Sequence, residues 1–404
     1  MILASLILSI GSVFAAAFLD WKQKSPFFML WPLGVLFFYL PLVVYWLDGE
    51  YPDYVIFEAF LYSSLCNFAY IVGVSLAAFL APSNAASITG LNVFPSRAKD
   101  IVIVTAILAV PLILIMNGVS VQRILGSTLS DKRELSSWYL IIILIASFLI
   151  PQIVYSVKNK KIWMTLGIAL IFLMVALYFR SRSILVLLCL PVGYYFLMFT
   201  KSGGVKIFLL GVIAFFLSVI LKVVRYQGEL RDGLDFSQWG ESFRYVMSEQ
   251  FASGDFSISK VFLSVIQDCS VQAWCGSMSF FNKVASNLGL YPKENTIEYE
   301  LYDFYVQSGV GGSLHPTGYG FSYADFGGFG GVILFLLLAF YRAIIHKVLM
   351  GSNRNFAYLG FIMYFVLFFS RGSVYNSFML LSLAAIFEVM IAWGLFLLSK
   401  RKSI

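Results

Sequence analysis

The stretch IWMTLGIALIFLMVALYFRSRSILVLLCLPVGYYFLMF, residues 162–199, decides the fold. Two apolar runs, Ile162–Phe179 and Ile184–Phe199, are parted only by Arg180-Ser181-Arg182-Ser183, and neither run carries a charge. Each is close to the length an α-helix needs to cross about 30 Å of hydrocarbon. The reading is a pair of antiparallel membrane helices joined by a tight, doubly cationic turn.

The rest of the chain repeats this pattern. Further apolar runs occupy Ile2–Leu19, Phe27–Leu47, Tyr54–Leu80, Ile101–Met116, Trp138–Val157, Val205–Val224, Phe329–Leu349, Phe356–Phe369 and Phe378–Leu398. About eleven spans are therefore expected, in one all-α polytopic membrane domain covering residues 1–404. Composition agrees: 60% of residues are hydrophobic and 12% charged, against about 25% charged in soluble proteins. The aromatic share of 18% suits interfacial belts of Trp and Tyr. Ile2–Leu19 lacks a basic leader, and the charged flank Asp20-Trp21-Lys22-Gln23-Lys24 follows it, so it reads as a retained helix. Pro41, Pro111 and Pro191 read as kinks within spans.

Loop charges set an orientation. Alternate loops hold Lys22 and Lys24; Arg97 and Lys99; Lys158, Lys160 and Lys161; Lys201 and Lys206; Lys347 and Arg354; and the tail Lys400-Arg401-Lys402. The opposite set begins with Asp48, Glu50 and Asp53. The positive-inside rule places the basic loops and the C-terminus in the cytoplasm and the N-terminus outside. The net charge of +7 is thus directed at anionic headgroups rather than nucleic acid. Residues 225–328 become a large extracytoplasmic loop, with amphipathic stretches at Phe243–Phe251 and Ile258–Ile266 that lie on the membrane or cap the bundle. Cys269 and Cys275 fall in it and are expected to pair in an oxidising compartment. Cys66 and Cys189 lie inside spans. With no companion Cys or His at ligand spacing, no metal site is expected.

Chemistry is sought where charge sits against the rule. Arg180, Arg182, Arg225 and Arg371 all fall at outer helix ends, although arginine near hydrocarbon costs about 2.5–3.5 kcal/mol at a helix centre. Guanidinium forks suit phosphate oxygens, and the bland alternative is snorkelling to lipid phosphates. His315, in Gly311-Gly312-Ser313-Leu314-His315-Pro316-Thr317-Gly318, is a candidate general base; a structural histidine is the competing reading. Glu249 and Asp255 are the favoured loop carboxylates. Asp325 reads as a helix cap, and Gly327 with Gly331 as a small-residue pair for close helix contact. No phosphate-binding loop, dinucleotide fingerprint or hydrolase elbow is present.

The turn Phe179-Arg180-Ser181-Arg182-Ser183, the segment Tyr323-Ala324-Asp325-Phe326-Gly327-Gly328-Phe329-Gly330-Gly331 and the turn Ser370-Arg371-Gly372-Ser373 together resemble the Wzy-type oligosaccharide repeat-unit polymerases. That resemblance implies a membrane glycosyltransferase architecture of the GT-C type, shared with O-antigen ligases. The ligase pattern has a glycine at a fixed interval after histidine, and His315 meets Gly327 at a slightly different one. The implied activity is an inverting, metal-independent and cofactor-free glycosyl transfer at the outer face of a bacterial inner membrane. The implied donor and acceptor are undecaprenyl-pyrophosphate-linked oligosaccharides, with membrane lipids and a chain-length regulator as further partners. The arginines would stabilise the departing pyrophosphate, and His315 or a loop carboxylate would take the acceptor proton. A ligase acting on the same donor, or a polysaccharide or lipid transporter, remains the alternative.

Overall fold

The computed structural model describes residues 1–80, 97–119, 142, 145, 149–150, 152–178, 183–201, 203–231, 239–248, 258–268, 279–287, 290, 292, 296–306, 314–350, 359–372 and 374–401. Every regular element among the described residues is helical. Four stretches there are long and apolar enough to cross a membrane: Ile2–Lys22, Pro26–Leu47, Asp53–Phe79 and Thr317–His346. Shorter apolar helices cover Ile103–Met116, Ile162–Tyr178, Ile184–Phe199, Gly203–Ile213, Leu359–Arg371 and Val374–Ile386. Most of the expected span Trp138–Val157 lies outside the described residues. Large apolar side chains such as Leu3, Ile7, Phe14, Phe18, Leu108, Leu170 and Leu337 face outward. Such a surface needs lipid rather than water. The chain is a helical membrane protein.

The chain forms two compact units. One comprises Met1–Thr89, Phe251–Ser352 and Tyr364–Ile404; the other comprises Gly90–Gln250 and Asn353–Met363.

In the first unit, helix Ile2–Lys22 lies along helix Asp53–Leu80. Its small residues Ser5, Ser9, Ser12 and Ala16 form the buried face, which lets the backbones approach. Ser9 Oγ donates to the Phe60 carbonyl at 2.7 Å and lies 2.7 Å from Ser64 Oγ. Between these helices the chain runs through a 3-10 turn (Pro26–Met29), an α-turn (Leu30–Gly34), a π-turn (Val35–Tyr39) and a last helix (Leu40–Leu47). The π-turn directly precedes Pro41, whose missing N–H disturbs the helical ladder. It buries Phe37, Phe38 and Tyr39.

The Thr317–Met350 stretch is not one helix. It breaks at Gly327, where φ is 67° and ψ −179°. The ring of Tyr319 stacks on that of Phe335 with centroids 5.1 Å apart, whereas sixteen positions of continuous helix would separate them by about 24 Å. Tyr62 Oη bonds Ser322 Oγ at 2.7 Å, and a Cβ placed on Gly331 would meet both that hydroxyl and the Ser322 carbonyl. Residues 317–326 therefore fold back along residues 328–350 as a re-entrant hairpin. Tyr323 donates to Glu58 near the start of helix Asp53–Leu80, and Tyr319 donates to Asn67 in its middle. The short arm thus climbs from the middle of the bundle toward its Glu50 end, and the long arm descends. Two sequence readings change here. Gly327 supplies the turn, not a packing contact, because nothing lies within 4 Å of its would-be Cβ; the close approach belongs to Gly331. Asp325 sits in the last turn of the short arm, where Tyr375 donates to its carboxylate.

Helix Ile258–Asp268 rests on this bundle. Its face of Phe262, Leu263, Val265 and Ile266 is buried, with Phe262 against Phe38 (5.2 Å between centroids), Tyr62 and Tyr323. Lys260 reaches Glu50 at 2.5 Å, and Tyr305 donates to Asp268 at 2.7 Å. At the opposite end, Arg342 pairs with Asp20 at 2.5 Å and donates to Gln23 Oε1 at 2.7 Å. Trp31 Nε1 and the Tyr70 hydroxyl also donate to Asp20, at 2.7 and 3.0 Å. Both charges are fully enclosed. Four chain segments meet in this one ion pair.

In the second unit, helix Ile162–Tyr178 packs on helix Arg97–Met116, with Gly167 against Ile107, and on helix Ser183–Phe199. Helix Gly203–Arg231 returns along Ser183–Phe199. It runs on past Val224, so Arg225 stands inside a helix rather than opening a loop. Helix Trp239–Ser248 folds back on it, closing Val219, Val223 and Val246 beneath Trp239 and Phe243. Asp100 binds Lys161 and accepts from Tyr155 at 3.1 Å.

Candidate functional site

Two interruptions of helix meet in the first unit. One is His315-Pro316-Thr317, which starts the short hairpin arm; the other falls at Gly372, between helices Leu359–Arg371 and Val374–Arg401. A Cβ on Gly318 would fall 2.4 Å from the ring of Phe369, so only glycine lets the start of the short arm seat there. Phe369 also borders Tyr319 and Phe335. His315 and Arg371, a few residues to either side of this contact, are thereby brought into one neighbourhood. Broken helices inside membrane bundles are tolerated where the freed backbone lines a cavity or meets protein, and they commonly mark binding sites.

Backbone strain sits at the same place. Thr317 has φ of 65°, an outlying conformation for a β-branched residue. Strain of this kind, on the order of 1–3 kcal/mol, persists where the surroundings enforce it. Here they do: Pro316 and Gly318 are buried around it, and Phe262 closes on Gly320.

His315 is held from the loop side. Its Nδ1 lies 3.4 Å from Glu298 Oε1, and Lys283 binds the other carboxylate oxygen. The Leu314 amide donates to the Glu298 carbonyl at 2.8 Å, tying the two backbones together. Glu298 is 2% exposed, and the His315 side chain is 26% exposed. Burial by itself would raise the Glu298 pKa, but His315 and Lys283 outweigh it and hold the carboxyl down at about 2. Lys283 also stands over the Tyr299 ring. The cluster therefore contains a permanent carboxylate, a cation that neutralises it and a partly exposed imidazole. That set can accept a proton from a hydroxyl.

At the start of the short arm lies a closed ring of neutral hydrogen bonds. Tyr319 donates to Asn67 Oδ1 at 2.8 Å, Asn67 Nδ2 to Tyr39 Oη at 2.8 Å, and Tyr39 to Tyr319 at 3.3 Å. Asn67 Nδ2 also donates to Ser12 at 3.0 Å. Each polar group is satisfied, which buried groups require, and the ring fixes the depth at which the arm starts.

Of the residues singled out from sequence, His315 and Arg371 belong to this site. Arg371 is half-buried in the last turn of its helix, 5.8 Å over the Phe37 ring. Its charge also suits the negative end of the helix dipole. Arg180, Arg182, Glu249, Asp255, Cys269 and Cys275 lie outside the described residues; of Arg225 only the helical backbone is described. Among the described residues no His, Cys, Asp and Glu group could hold a metal. Sequence reasoning did not single out Glu298 or Lys283. Glu298 was one of many loop carboxylates, and nothing in its local pattern sets it apart. The one available signal was the pairing of a scarce histidine with helix-forming charge upstream.

No known protein family, curated protein or solved structure matches this chain.

Proposed function

We propose that this protein polymerises undecaprenyl-pyrophosphate-linked oligosaccharide repeat units into O-antigen or a related polysaccharide. On this reading it spans a bacterial inner membrane about eleven times, with its C-terminus in the cytoplasm and the 225–328 loop on the periplasmic side, its last part, 317–326, re-entering the bundle. The reaction is an inverting glycosyl transfer that needs no metal. His315 takes the proton from the acceptor hydroxyl as the sugar–phosphate bond of the donor breaks. Arg371, together with Arg180, Arg182 and Arg225, stabilises the departing pyrophosphate, an electrostatic task of the kind that dominates many enzymes.

One observation carries the reading: the two helix interruptions join at Gly318 and Phe369, which puts a base-competent imidazole and a guanidinium in the same neighbourhood. A glycosyl transfer to a hydroxyl with a pyrophosphate leaving group needs that pair of groups. The re-entrant hairpin also favours a second reading, a transporter of lipid-linked saccharide, because such folds place substrate at broken helices.

The test is elongation in detergent solution, where no compartments exist. Purified protein with lipid-linked repeat units alone should yield a ladder of longer chains. A ligase would be inert until lipid A core is added. A transporter would be inert in both arms, and that result would remove the polymerase reading.

A further inference from the structure

We propose that Glu298 is a positioning residue, shared between Lys283 and His315, which fixes the imidazole with its Nδ1–H toward Oε1 and leaves Nε2 as the proton-accepting atom. The role of that atom in polymer elongation rests on the reading above; the ring geometry does not.

The arrangement argues for it in three steps. Among the described residues, the two oxygens of Glu298 meet different partners, Lys283 on Oε2 and His315 on Oε1. At 3.4 Å the imidazole contact is longer than the roughly 2.9–3.0 Å of a typical N–H···O bond. Catalytic hydrogen bonds are often long in the unliganded state and tighten when substrate arrives. Second, an acceptor-only carboxylate can meet Nδ1 only if that nitrogen carries the proton, and this selects the tautomer. Third, Lys283 already compensates the carboxylate charge. Without Lys283, the less compensated Glu298 would draw His315 more strongly toward imidazolium, which cannot accept a proton. Lys283 thus keeps the neighbouring carboxylate an orienting group rather than an ion-pair trap.

Among the described residues, the elements around His315 bring these charged groups. Helix Ser279–Asn287 brings Lys283, and helix Ile297–Val306 brings Glu298, Glu300 and the exposed Asp303. The short hairpin arm brings Asp325, engaged by Tyr375 of helix Val374–Arg401, and Arg371 ends helix Leu359–Arg371. Of these, Glu298 and Lys283 are the groups joined to His315 in one cluster of ion pairs.

The experiment uses the full chain in micelles with 15N-labelled histidine and His346→Asn, which leaves one imidazole to observe. Wild-type His315 should show a protonated Nδ1 and an unprotonated Nε2 above its titration. In Lys283→Met its titration midpoint should move to higher pH, and in Lys283→Arg it should stay. A proton on Nε2 in the otherwise wild-type chain, or an unmoved midpoint in Lys283→Met, overturns the proposal whatever the activity. In elongation assays Glu298→Gln should lower kcat at least about tenfold, with KM little changed, and Glu298→Asp should recover part of it. The acid limb of the Lys283→Met profile should move up with the midpoint. Unchanged kcat in Glu298→Gln of an elongating protein removes the role. If the spectra agree while the wild-type chain elongates nothing, the positioning stands and the polymerase reading falls.

Discussion

Tyr319 and Phe335 stack face to face, their rings 11° from parallel, and this contact makes the 317–350 stretch a hairpin. In a background without the native cysteines, Tyr319→Cys with Phe335→Cys should be joined within one chain by a short bis-maleimide of about 10 Å reach. A straight helix would hold the two about 24 Å apart. Mass spectrometry that finds only singly reacted sites would refute the hairpin.

The turn itself should be intolerant of side chains. Gly327 adopts a φ of 67° with extended ψ, a region that costs other residues on the order of 1–3 kcal/mol. Gly327→Ala should lower the thermal midpoint in micelles, whereas Gly11→Ala, with open space around its would-be Cβ and an ordinary helical backbone, should not. Equal midpoints for the two variants would count against the turn.

The Asp20–Arg342 pair should be worth most when broken from one side. Arg342→Leu strands a buried carboxylate and should cost about 3–5 kcal/mol, while the double change Asp20→Leu with Arg342→Leu should recover much of that. Chemical unfolding of the purified variants measures both. A double variant no more stable than Arg342→Leu would show that the pair is not coupled.

Acid should loosen the Glu298 cluster in a defined window. The folded carboxyl is depressed to about 2 from an ordinary value of 4.5, so its contribution is complete above pH 4.5 and is lost as pH falls toward 2. The full contribution is on the order of 3 kcal/mol. Thermal midpoints followed from pH 5 to 2.5 should fall more steeply in wild type than in Glu298→Gln. Parallel curves would remove Glu298 from the acid response.

Orientation and the arginine role can be tested together. An impermeant maleimide applied to intact spheroplasts should label Asp303→Cys and spare Lys400→Cys; the reverse would invert the proposed topology. Loss of a charged hydrogen bond costs about 1.5–3 kcal/mol, roughly ten- to a hundredfold in rate if it acts in the transition state. Arg371→Ala should therefore shorten polymer strongly and Arg371→Lys less so. Full-length polymer at wild-type rate from Arg371→Ala would return that residue to capping its helix.

Helix and membrane character were legible because they are local. Runs such as Ile2–Leu19 and Ile162–Phe179 carry their own periodicity and lack of charge, and the helices lie over them. The hairpin was not legible, because hydropathy leaves Tyr319 in the loop before the apolar run Phe329–Leu349 and is blind to its contact with Phe335. Phe262 shows the same divide. Its helical period can be read from sequence, but its seat between Phe38 and Tyr62 depends on partners some two hundred positions away. His315 was found because histidine is scarce here. Glu298 was not, since a carboxylate in a loop rich in them becomes distinctive only when folding buries it.

The Asp20–Arg342 pair also sets a clock. Its acid is made roughly 320 residues before its base, which at about 5–20 residues per second is on the order of twenty seconds to a minute of synthesis. Throughout that interval helix Ile2–Lys22 carries an ionisable group whose countercharge has not yet emerged. Trp31 and Tyr70 arrive sooner and can hold it by hydrogen bonds alone. The first unit therefore locks only once Arg342 has emerged, and a product truncated before it is left with a buried acid that lacks its countercharge.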